Sequence, residues 1–115
     1  MEVVRLQDAR PFDAPRHVAC RALRLQGWDA TSARGFWVGL SHFLPGGGVE
    51  RDATPLEKVY IVIEGELTVV TDEGEATLRP HDSIYLAPDE ARSLENRTNR
   101  PASMFVVMPY PEERA

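Results

Sequence analysis

Cysteine occurs once in the chain, as Cys20, and histidine three times, as His17, His42 and His81. One cysteine excludes an intramolecular disulfide and a cysteine-built zinc centre, so Cys20 is expected to be a small apolar core residue. No apolar run approaches the roughly 18–20 residues that a membrane-spanning helix needs. The opening stretch, "MEVVRLQDARPFDAPRH", also lacks the charged-then-apolar order of a secretory leader. A cytoplasmic protein without membrane attachment is the expectation. Basic charge is in deficit too: 13 Lys and Arg stand against 18 Asp and Glu, for a formal charge of −5. The arginines are scattered rather than striped, so nucleic acid is not an expected partner. Internal repeats and strong amphipathic helices are also missing.

What remains is a series of short β-forming segments punctuated by glycine and proline. At 115 residues, with 43% hydrophobic and 27% charged residues, the chain has the makings of one globular domain spanning 1–115. Residues 1–30 read as an N-terminal strand or arm, and 36–108 as the core. Val3–Leu6 is a candidate first strand. "HVACRALRL" (17–25) half-fits the strand alternation, and "GFWVGLSHFL" (35–44) ends at the glycine turn "PGGG". Val59–Ile63 and Leu67–Thr71 flank the turn Glu64-Gly65-Glu66. "TDEGE" (71–75) is a hairpin signal, with Gly74 at a positive φ. "ATL", "SIYLA", "ARSLEN" and "SMFVVMP" supply further strands, before a charged tail, "PEERA". So many short strands at close spacing predict an all-β sandwich or barrel, and closure removes the edges that promote aggregation.

Two spacings make the pattern specific. From Gly46 the chain reads Asp52-Ala53-Thr54, "PLE", Lys58, "VYIVIE", Gly65. Ending at Asn96 it reads His81, "DSIYL", Ala87-Pro88-Asp89, "EA", Arg92, "SLE", Asn96. In spacing and turn glycines these segments resemble the two motifs of the cupin superfamily, over roughly residues 36 to 108. The resemblance implies an all-β, cupin-type jelly-roll β-barrel. In cupins the corresponding positions hold His, His, Glu and His around a divalent metal. Here they hold Asp52, Thr54, Lys58 and Arg92.

Lys and Arg carry positive charge and offer no acceptor, so neither can ligate a cation. No metal or other cofactor is therefore expected at the usual place. Because strand side chains alternate, an inward Lys58 carries Tyr60 and Val62 inward, and Arg92 carries Leu94 and Asn96. A cavity lined by Lys58, Arg92, Tyr60, Asp52, Thr54 and Asn96 suits a small acidic or carbonyl-containing molecule. Arg92 would grip a carboxylate through paired hydrogen bonds, with Thr54, Asn96 and His42 as further ligand-binding candidates. For catalysis, Lys58 is the candidate base or Schiff-base nucleophile, with Asp52 or Tyr60 relaying protons, as in an isomerase, lyase or decarboxylase. Two alternatives stay open. The barrel is a non-catalytic sensor or accessory scaffold in which Asp52 merely pairs with a cation. Or a displaced metal site is built from His42, Glu57 and Asp52, with a bulge turning Glu57 inward. Val59, Ile61 and Ile63 point outward by the same alternation and need a cover. The resemblance implies a homodimer; the alternative cover is the N-terminal segment.

Overall fold

The computed structural model describes residues 1–111, so all but the first residue of the charged tail lies outside the described part. Among the described residues nine antiparallel strands form: β1 (Arg10–Phe12), β2 (His17–Gln26), β3 (Trp37–Asp52), β4 (Lys58–Glu64), β5 (Leu67–Thr71), β6 (Gly74–Leu78), β7 (Ser83–Leu86), β8 (Arg92–Glu95) and β9 (Ala102–Met108). Their hydrogen-bonded order is β6-β5-β8-β3-β9-β4-β7, with β2 also on β3 and β1 on β2. The sheet curls into a nearly closed jelly-roll barrel. Its two end strands, β6 and β7, face each other across a groove of about 270 Å³ lined by Val69, Thr71, Ala76, Ile84, Leu86 and Glu90, among others.

The alternation expected of β4 is present. Lys58, Tyr60 and Val62 are buried, while Val59, Ile61 and Ile63 are half-buried on the outer face. The interior is filled by Phe43, Val49, Tyr60, Val62, Leu67, Val69, Leu94 and Met104 with their neighbours. Burying each large apolar side chain contributes about 1.5–3 kcal/mol, which is how a barrel of this size is held without a disulfide.

Two segments depart from the sequence reading. Val3–Leu6 is not a strand; a single 3-10 turn covers Leu6–Asp8. "PGGG" does not end a strand either, because β3 runs through it. Residues 37–43 pair with β9, whereas Gly48, Val49 and Asp52 pair with β8. The glycines let one strand bend between the two halves of the barrel. Gly46 has φ +81°, and a Cβ on Gly48 would stand 1.9 Å from the Leu94 carbonyl oxygen.

The N-terminal segment returns as β1 on β2, against Arg10↔Arg24 and Phe12↔Ala22. It does not pair with β4, whose neighbours are β7 and β9. The arm is fastened by aromatic contacts instead. Phe12 meets Trp37 edge-on, and the Arg24 guanidinium lies 4.4 Å over the Phe12 ring.

Candidate functional site

The ends of β3, β4, β7 and β8 and the start of β2 converge at one end of the barrel. Loop 53–57 is tied to loop 87–91 there by Asp89 N donating to Thr54 O at 2.7 Å. Lys58, first residue of β4, is 3% exposed, and Arg92, first residue of β8, is 6% exposed. Arg92 Nε donates to the Tyr60 hydroxyl at 2.8 Å, and Lys58 Nζ donates to Thr54 Oγ1 at 2.8 Å. Arg92 also reaches the Asp52 backbone carbonyl, at 3.4 Å.

These side chains shape one another electrostatically. Burial, and then the charge of Arg92, push the Lys58 ammonium below its ordinary value, while Asp52 and Glu90 pull the other way. Burial pushes the Tyr60 phenol up, against the opposing pull of Arg92. Tyr60 is thus a neutral phenol whose oxygen accepts from Arg92.

Asp52 is not the ion-pair partner of Lys58 or Arg92. One carboxylate oxygen accepts from Ala53 N at 2.9 Å, and the other lies 3.5 Å from Arg16 Nε at the rim. Lys58, Arg92, Tyr60, Thr54 and Asp52 are brought together, the four motif positions by the ends of β3, β4 and β8 and Tyr60 by the alternation along β4.

Two of the expected residues lie elsewhere in function. Asn96 is buried, yet all of its hydrogen-bonding capacity is used. Nδ2 donates to Phe43 O and Arg100 O, and Oδ1 accepts from Thr98 N and Thr98 Oγ1. It fastens the turn between β8 and β9 and has nothing left for a ligand. His42 has the opposite parity to the buried Phe43 and stands on the outer face, 2.6 Å from Ser103 Oγ. It does not reach the mouth.

Sequence reasoning also passed over two groups. Glu90 acts on the charge of Lys58, and its Oε1 accepts from Ala87 N at 2.9 Å. The acidic "PDE" beside Arg92 was the available signal. His17, counted above only as one of three histidines, stacks on Phe43 with centroids 6.1 Å apart and planes at 18°. Only the pairing of β2 onto β3 brings it there. Cys20 itself hydrogen-bonds Ser41, and burial pushes its thiol up to about 11, which leaves it protonated and inert near neutral pH.

The family's divalent metal does not fit this donor set. Buried Lys58 and Arg92 stand at two ligand positions and present only N–H groups. Among the described residues no three His, Cys, Asp or Glu side chains are grouped to hold an ion. The displaced trio is not assembled, because His42 lies outside and Glu57 accepts from the Tyr85 hydroxyl at 3.0 Å on the surface.

The fold and this mouth define a small jelly-roll protein whose barrel end gathers two buried cations, a buried phenol and carboxylates. A family model described as "Cupin domain" matches residues 39–108, and the chain belongs to the cupin family. It is 42% identical over 111 residues to a Mycobacterium tuberculosis protein named beta-D-galactosidase, covering 96% of both chains. Among solved structures, it is similar to the polyketide cyclase RemF of Streptomyces resistomycificus. There the TM-score is 0.84 at 19% identity, covering 95% of this chain and 79% of that one. It is also similar to a sugar phosphate isomerase of the cupin superfamily from Silicibacter pomeroyi, with a TM-score of 0.72 and 28% identity. That match covers 81% of this chain but only 60% of the other.

Proposed function

We propose that this cupin is a metal-independent hydrolase of β-D-galactosides that works at the Lys58–Arg92–Tyr60 mouth. The observation that carries the reading is kinship along nearly the whole chain, 42% identity over 96% of both proteins, with a relative named beta-D-galactosidase. The mouth supports it chemically. Cleaving a glycosidic bond requires a proton for the leaving oxygen and negative charge beside the oxocarbenium-like ring. Lys58, made a stronger acid by burial and by Arg92, is suited to give that proton. Asp52 and Glu90 both act on Lys58 and supply the carboxylates. Tyr60, its oxygen already engaged by Arg92, donates to a sugar hydroxyl.

The test is hydrolysis of an aryl β-D-galactoside by purified protein, with and without a chelator. Turnover insensitive to chelation is expected. Turnover that vanishes on chelation and returns with added metal would remove metal independence, and no turnover at all would remove the hydrolase.

A second reading is favoured by the depressed Lys58 beside Arg92, which also suits an isomerase or lyase acting on a small carboxylate or carbonyl compound. Borohydride trapping of a Lys58 adduct with such a compound separates it from hydrolysis.

We further propose a homodimer that buries the outer face of β4 and β9. Across that face Leu23 pairs with Leu40, Leu40 with Phe105, and Phe105 with Ile61, in one apolar row over four strands. Ile61→Glu is expected to convert the dimer to monomer in sedimentation velocity; a wild-type monomer would overturn the assignment.

A further inference from the structure

The mouth contains a nitrogen base that the acid and carboxylates above do not use. Arg16, at φ 60°, turns the chain into β2 and delivers His17 to the barrel end, where β2 pairs His17 with Val49 of β3. The ring lies flat against Phe43, the most deeply buried aromatic side chain of the interior. Its Nδ1 is 2.7 Å from the Pro15 carbonyl oxygen. A carbonyl only accepts, so Nδ1 carries the hydrogen, and in the neutral ring Nε2 holds the lone pair. The tautomer is thus fixed by the backbone, much as an orienting group fixes a catalytic histidine. The charged group that acts on the ring is Arg92 from β8, and Arg16 is its neighbour at the strand entry. Arg16 and Asp52 are occupied with each other. Burial first, and Arg92 next, hold the imidazolium below its ordinary range, against the Pro15 hydrogen bond.

We propose that His17 is the general base of this site, taking through Nε2 the proton of the water that attacks the sugar. The proposal rests on the hydrolase reading. In the step, the water oxygen bonds to the anomeric carbon while the carbon–leaving-oxygen bond breaks with its electron pair. His17 Nε2 receives the water proton, and Lys58 gives a proton to the departing oxygen. The products are free galactose and an alcohol. His17 then loses its proton to solvent and Lys58 regains one, so the cycle closes without oxidant or co-reactant. A single displacement of this kind inverts the anomeric centre.

The experiment is proton NMR of the first-formed sugar together with pH profiles of kcat/KM for wild type, His17→Ala and His17→Phe. The α-anomer of galactose is expected first. The wild-type profile should be a bell, with an acid limb below the ordinary histidine value and an alkaline limb below the ordinary lysine value. Both variants should lose about 10²–10⁴-fold in kcat and lose the acid limb. Added imidazole should restore part of the activity of His17→Ala. His17→Phe keeps the stacking on Phe43, so wild-type-like melting with the same loss separates catalysis from folding. Retention of configuration, or an acid limb and kcat unchanged in the variants, would overturn the base. Absence of any wild-type turnover removes hydrolase and base together, whereas turnover with retention removes the base alone.

Discussion

Exchanging Lys58 for methionine is expected to lower galactoside turnover by roughly 10²–10⁴-fold, the range for losing a positioned proton donor, while leaving the protein as stable or more so. Lys58 is buried beside a second cation, and its one hydrogen bond goes to Thr54. Methionine has similar length, carries no desolvation cost and adapts its shape, and replacing a buried charge by a well-packed apolar side chain is often neutral or stabilising. Thr54 Oγ1 loses a donor but keeps its contact with the Leu56 carbonyl. The stability difference should depend on pH in a definite direction. Because the folded-state value of Lys58 lies below the unfolded one, the unfolded chain binds more protons between the two. Wild-type stability therefore rises as pH climbs through the folded value towards the ordinary lysine value. The advantage of Lys58→Met should be largest at neutral pH and shrink in alkali. Melting curves from neutral pH to about pH 10 read this, and a variant that melts well below wild type throughout would show that Lys58 is structural.

The second large effect lies outside the chemistry. Gly48→Ala is expected to cost several kcal/mol and to prevent accumulation of folded protein, at the extreme end of single-substitution effects. Its Cβ would sit 1.9 Å from Leu94 O and 2.9 Å from the adjacent carbonyl carbon, both backbone atoms that cannot rotate away. Relief requires β3 and β8 to part where Gly48 pairs with Glu95 and Val49 with Leu94. Arg92 heads the same strand, so any surviving protein should also lose activity. Gly46→Ala is the internal comparison. It meets open space, and its penalty comes from φ +81° alone, about 1 kcal/mol. Denaturant midpoints of the two variants check the ranking; equal midpoints would refute the close-approach argument.

The strands were legible because their signals are local. The alternation in "KVYIVI" and the positive-φ glycines at 65 and 74 need only a few neighbouring residues to be read. The inward positions of Lys58 and Arg92 followed from the resemblance to the family motifs, and that of Tyr60 from the alternation along β4. Three features did not. "PGGG" has a turn composition, but its glycines serve close packing against β8 and a bend inside one long strand, which composition does not distinguish from a turn. The spent hydrogen bonds of Asn96 depend on carbonyls at 43 and 100, one of them fifty-three residues away. His17 reaches the mouth only through a register between β2 and β3 that no local pattern specifies. The outward face of His42 was undecidable across the glycines for the same reason.

β3 has a consequence for how the molecule comes into being. Its first half lies between β2, near the start of the chain, and β9, near its end. Its second half needs β8 as well as β2. A nascent chain emerging from the ribosome would have no complete neighbourhood for this strand until β9 had cleared the exit. The barrel should consequently form late and all at once, only after β9 has been made.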